Sequence, residues 1–183
     1  MYRQRPGFYR FDHVILGAPV VNGFDGEKCW FYSPPRIKQA RPMPPAFAKA
    51  VLREKFFEPP FWNAAQKGHQ VSYIGLVDLD GEQAHQLDVK LPSGESESWF
   101  LDPETFLTKK LKGITWDYGR RVIIEAYFDD YREVSGVIMP FAIEQEFHTR
   151  YRVFTIEEIE INAELDENVF KMEAFQPADS ESN

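Results

Sequence analysis

Dipeptides ending in glycine punctuate this chain at close intervals: Asp25-Gly26, Asp80-Gly81, Ser93-Gly94, Lys112-Gly113, Tyr118-Gly119 and Ser135-Gly136. Such pairs mark tight turns, because glycine reaches the positive φ that hairpin loops need. Between them run short segments in which apolar and polar residues alternate, the period-two pattern of half-buried strands. Tyr9, Phe11, His13 and Ile15 fall on one side of the first segment, with Arg10, Asp12 and Val14 on the other. A second extended stretch, Ala18–Phe24, ends at Asp25-Gly26 and leads into the aromatic strand Cys29–Tyr32. Further strand candidates are residues 71–77, 83–91, 96–101, 106–112, 122–128, 141–147 and 152–161. Short connections make neighbours antiparallel, and so many consecutive strands must curl or split to hide their edges. The expected fold class is mainly β with few helices: a strongly curved antiparallel sheet, an incomplete β-barrel, covered by a helical lid.

The lid is read from one interruption in the pattern. Pro34 and Pro35 stop the aromatic strand, since proline donates no ladder hydrogen bond, and a Pro-rich linker runs to Pro45. Residues 46–57 form the best helix candidate, with Pro44 and Pro45 at its start and Phe47, Val51 and Leu52 spaced to share a face. Pro59-Pro60 ends it, and Phe56, Phe57, Phe61 and Trp62 crowd around its exit. The segment 47–62 is therefore expected to lie over the open side of the sheet and move as a unit.

Composition narrows the function classes. A length of 183 residues suits one domain, read here as residues 1–175, and the polar, acidic residues 176–183 are expected to be disordered. A net charge of −8 opposes docking on a phosphate backbone or an anionic membrane surface, so no nucleic-acid partner is expected. No apolar run reaches the roughly 18–20 residues of a membrane span. The first ten residues carry positive charge but lack the apolar stretch of a signal peptide. Cys29 is the only cysteine, which rules out an intramolecular disulfide or a thiolate zinc site, and it reads as a small buried hydrophobe.

There is no phosphate loop, no dinucleotide fingerprint and no nucleophile elbow, and His13, His69, His85 and His148 show no metal-ligand spacing. Glu144 and Glu146 share a strand face, where alternate acidic residues mark a wet surface. No catalytic residue, metal or cofactor is expected, and the chain reads as a binding protein rather than an enzyme. The feature given functional weight is its aromatic content of 15%, although a curved sheet also needs bulky core fillers. Trp30, Phe47, Phe57, Phe61, Trp62, Tyr73 and Trp99 are the candidate ligand-binding residues, lining a cavity between sheet and lid. The alternative is a structural or protein-interaction module in which the same rings fill the core. If no further strand precedes it, the strand over residues 9–16 or a neighbour leaves an unpaired edge, and self-association through that edge is then expected.

Several stretches, taken in order, resemble the LolA/LolB-like superfamily of outer-membrane lipoprotein-sorting proteins. The most telling is Phe128-Asp129-Asp130-Tyr131-Arg132-Glu133-Val134-Ser135-Gly136-Val137-Ile138-Met139-Pro140-Phe141, followed by residues 156–161 and Leu165-Asp166-Glu167-Asn168-Val169-Phe170. Phe24-Asp25-Gly26-Glu27-Lys28-Cys29-Trp30 and Phe100-Leu101-Asp102-Pro103-Glu104-Thr105-Phe106-Leu107 are also similar. The likeness covers most of residues 5–170. It implies a half-barrel whose mouth is covered by helices, a hydrophobic cavity for the acyl chains of lipids or lipoproteins, and a place in the periplasm or cell envelope. Members of that group usually begin with a signal peptide, a helix and strands ahead of the segment resembling residues 5–11, so this chain reads as short at its N-terminus. None of the carriers' ligand-contacting residues matches position by position, so none is transferred.

Overall fold

The computed structural model describes every residue except Pro35, Thr149, Glu167 and 176–183, so the tail expected to be disordered lies outside the described residues. Four two-residue loops, Leu16-Gly17, Asp80-Gly81, Tyr118-Gly119 and Ser135-Gly136, have positive φ at both positions. That geometry matches the right-handed twist of the flanking strands and makes each a tight hairpin.

Five strands form the first sheet in chain order: β1 (Tyr2–Gln4), β2 (Phe8–Ile15), β3 (Ala18–Phe24), β4 (Cys29–Tyr32) and β5 (Arg41–Pro42). The helix α1 (Pro45–Glu54) follows, then seven more strands: β6 (Gln70–Leu79), β7 (Glu82–Lys90), β8 (Ser96–Leu101), β9 (Thr108–Asp117), β10 (Arg120–Val134), β11 (Val137–Phe147) and β12 (Arg150–Thr155). These seven make a second sheet, again in chain order, and every registered pair is antiparallel. The mainly antiparallel β class with one helix and no closure into a barrel is as the sequence predicts. The strands divide between two sheets.

The chain groups into two compact units. Met1–Glu58, Trp116–Arg120 and the described residues from Glu164 onward form the first; Pro59–Thr115 and Arg121–Ala163 form the second. In the first, Tyr9, Phe24 and Cys29 pack against Val51 of α1, with Ala48 and Met43 alongside. Proline at the first position suits the helix start, since its missing N–H has no intrahelical partner there. A further cluster of Val21, Trp30 and Ala40 is closed by Tyr32, Met172 and Phe175.

Four local expectations are corrected. Lys112-Gly113 is no turn: it lies inside β9, where Leu111, Gly113 and Thr115 are buried in alternation and carry the strand straight through. The stretch 106–112 begins late, because Asp102 accepts hydrogen bonds from the Thr105 N–H and hydroxyl and holds residues 102–105 in a turn. The strand expected over 152–161 ends at Thr155, with one further bond from the Ile156 N–H to the Phe141 carbonyl. Its next partner by register is Pro140, which has no N–H to donate. Nor is the strand beginning at Phe8 an open edge along its whole length, since β1 pairs with Phe8, Tyr9 and Arg10.

Candidate functional site

One face of the second sheet is apolar by register. Leu87 faces Trp99 across β7 and β8, and Trp99 faces Leu111 across β8 and β9, so the three side chains stand together. Val89, Trp99, Leu111 and Ala126 form the buried centre, surrounded by Leu87, Leu91, Phe128 and Phe61. The Trp99 indole N–H donates to Glu97 Oε2 at 2.9 Å, tying the ring to a carboxylate that is itself buried.

Phe61 is the ring laid over this centre, meeting Trp99 edge-on with centroids 5.3 Å apart and planes at 82°. It belongs to residues 59–69, a run of turns rather than a helix. The bonds of that run are internal: Trp62 N–H to the Pro59 carbonyl, His69 N–H to the Ala64 carbonyl, and His69 Nδ1 with the Pro60 carbonyl at 2.7 Å. Further along the same face, the Tyr73 hydroxyl lies 2.9 Å from His85 Nδ1, and the His85 ring stacks on Phe106 at 5.4 Å. Tyr73 and Phe106 are both more than half exposed.

The opposite face is polar. Asp88 accepts hydrogen bonds from Ser98 Oγ at 2.7 Å and Gln86 Nε2 at 2.9 Å, and it borders an open groove of about 430 Å³ lined by polar residues such as Gln70, Ser98 and Lys112 and by the apolar Ile114 and Ile123. Beside it, Glu125 bridges Lys110 at 2.7 Å and Lys112 at 3.0 Å, and the Lys110 ammonium sits over the Tyr127 ring. Hydrogen bonds from Lys110 and then Lys112 hold the Glu125 carboxyl down to about 2. A depressed carboxylate stabilises the fold above its ordinary value of 4.5 and loses that contribution as pH falls toward 2. After allowance for solvent screening, Glu125→Gln is expected to cost about 1–2 kcal/mol at pH 7 and progressively less from pH 4.5 downward. Urea unfolding of both proteins between pH 7 and pH 2.5 checks this, and a difference that does not shrink with acid would refute it.

The seven candidate aromatics divide between the units. Trp30, Phe47 and Phe57 lie in the first, and Phe61, Trp62, Tyr73 and Trp99 in the second. Phe61 and Trp99 are brought into contact. Trp30 is completely buried, and its indole N–H donates to the Phe170 carbonyl at 2.8 Å. Phe47 is half exposed on α1 with its ring beside Gly119, and Phe57 lies under the Arg5 guanidinium. Trp62 is 59% exposed, in contrast to the buried Trp30 and Trp99. Neither the groove beside Asp88 nor a second cavity of about 290 Å³, beside Phe8 and Phe170, is lined by any of the seven.

The centre of the apolar face, Val89, Leu111 and Ala126, was missed by the sequence reading. The alternation Leu87, Val89, Leu91 was the signal for it, but only the register shows which strands join that row. Among the described residues no group of three or more His, Cys, Asp or Glu is placed to hold a metal. Burial pushes the Cys29 thiol up to about 11, away from nucleophilic chemistry.

No protein-family model matches the chain, and no curated protein matches it. Solved structures do. A protein of the DUF1329 family from Desulfovibrio piger superposes with a TM-score of 0.60 at 14% identity, over 87% of this chain and 71% of that one. A putative outer membrane lipoprotein-sorting protein domain from Vibrio parahaemolyticus gives 0.59 at 15% identity, over 86% and 71%. A LolA superfamily protein from Nitrosomonas europaea gives 0.53 at 11% identity, over 86% and 78%. The chain thus has the LolA-like fold, in agreement with the resemblance read from its motifs.

Proposed function

We propose that this protein is a non-catalytic carrier or binder of an acyl chain, from a lipid or a lipoprotein, in the bacterial cell envelope. The chain is received on the apolar face of the second sheet, where Phe61 acts as a displaceable plug. The observation that carries this reading is the Phe61–Trp99 contact: a buried apolar face covered by a ring from a turn segment whose own hydrogen bonds are internal. Displacing Phe61 gives up an aromatic pair worth about 0.5–1.5 kcal/mol. Each methylene buried in its place contributes about 0.8 kcal/mol, so about three to six offset the pair together with the ring's own burial of about 1.5–3 kcal/mol. Trp62 and Tyr73 flank the entry and complete the proposed site with Phe61 and Trp99. The fold shared with a lipoprotein-sorting domain supports the reading and its envelope setting. Among the described residues no helix is long and apolar enough to cross a membrane.

Phe61→Ala removes the plug and is expected to tighten binding of a fluorescent fatty-acyl probe by at least about 2- to 10-fold, the share set by the lost pair alone. Unchanged affinity in the folded variant, or no binding by either protein, would overturn the carrier reading. The interaction module would then stand.

A further inference from the structure

We infer that β6 is a self-complementary edge through which two copies of this chain join their seven-stranded sheets, independently of what the apolar face binds. Among the described residues, β6 ends its sheet and pairs with β7 alone. It is ten residues long, and Val71, Tyr73, Ile74 and Leu76 are all exposed. Long apolar edges of this kind invite another strand unless charge, proline or shortness prevents it.

The other edges carry such protection. β1 has three residues and β5 two. The part of β2 that β1 leaves uncovered carries Asp12, ion-paired with Arg10. At the far end of the second sheet, β12 bears Arg150 and Arg152, which antiparallel self-pairing would bring near their own copies. β6 has a single charge, Asp78.

Its bulge sets the register. Tyr73 faces Leu87 and Leu76 faces His85, and those two β7 residues are two apart, so Tyr73 and Leu76 point to the same side of the sheet. A two-fold axis normal to the sheet keeps sides matched, and the antiparallel register that does so while pairing the strand along its whole length has the axis between Ile74 and Gly75. It sets Tyr73 against Leu76 of the second copy, Ser72 against Val77 and Val71 against Asp78. The two Asp78 side chains then lie near opposite ends of the joint, about 20 Å apart at the strand's rise per residue, and no like charges meet. At the axis Gly75, with φ +134°, leaves room: a Cβ added there would meet no heavy atom within 4 Å. The apolar pairs, the separated charges and the open centre all fit a second copy better than an unrelated strand.

Sedimentation velocity over a concentration series up to roughly 0.5 mM tests this, a range that reveals weak association. The wild-type chain is expected to dimerise; Ile74→Lys to stay monomeric; and Tyr151→Lys, on the exposed β12 edge, to dimerise like wild type. A monomeric wild type, or a dimer that survives Ile74→Lys, overturns the proposal. The register has its own readout, because the native Cys29 is buried. An equimolar mixture of Tyr73→Cys and Leu76→Cys chains, oxidised gently, should give mixed disulfide dimers well above the statistical half. Statistical or like-with-like pairing rejects the register. Loss of acyl-probe binding with dimerisation intact would fault the carrier reading and leave this one standing.

Discussion

Gly23→Ala is expected to destabilise the protein by about 3 kcal/mol, the upper range for forcing volume into a packed core. Gly23 and Trp30 are directly opposed across β3 and β4, and the indole lies flat over the glycine. An added methyl would collide with three ring atoms, Nε1 among them at 2.6 Å. The ring has nowhere to retreat. It is fully buried, the tilted Phe175 ring lies against it at 5.0 Å between centroids, and its N–H is committed to the Phe170 carbonyl. Gly17→Ala supplies the contrast: that glycine has φ +76° with open space around it, so only the left-handed backbone is penalised, by about 1–2 kcal/mol. Urea unfolding followed by tryptophan fluorescence measures both, and equal losses at the two positions would contradict the packing argument.

Trp99→Ala is expected to cost about 3–5 kcal/mol, as for other large-to-small changes of buried aromatic rings. It empties the middle of the apolar face, where Val89, Leu111 and Ala126 converge, and removes the partner of Phe61. Trp99→Phe separates the two roles of the side chain. It keeps a ring for Phe61 but takes the indole N–H from the Glu97 carboxylate, a loss of about 1.5–3 kcal/mol for a bond to a charged group. A phenylalanine variant as unstable as the alanine one would mean that the hydrogen bond, not packing, dominates. Gly23 and Trp99 lie in different units, yet β9 and β10 each run through both. Residues 1–175 are therefore expected to unfold as one domain, with both substitutions moving the same transition by fluorescence and by circular dichroism. Two separated transitions would divide the chain into independent domains.

Much of the fold was legible because its signals are local. Asp80-Gly81, Tyr118-Gly119 and Ser135-Gly136 are hairpin turns as read, and Pro45 opens the helix. Leu16-Gly17 was not anticipated, since a leucine at φ 50° runs against turn preference and is settled by the strands it joins. Lys112-Gly113 has the composition of a turn and is none, because period-two burial on either side outweighs one glycine. The candidate site was legible in part. Phe61 and Trp99 were both singled out for their chemistry, but nothing within either segment says that the two rings touch.

The sequence by itself determined that strands would dominate, where most of them turn, that neighbours would run antiparallel, and where the helix begins. These follow from backbone conformation and side-chain period, which depend on residues a few positions apart. Tertiary structure decided that the strands divide into two sheets, and that residues 47–62 split at Glu58, with Phe47 and Phe57 in one unit and Phe61 in the other. It also decided which aromatic rings are core and which cover a face. A single shifted residue, such as the bulge between Tyr73 and Gly75, reassigns every later side chain on its strand to the other side of the sheet. That assignment is a property of pairing between strands distant in sequence, and no single segment contains it.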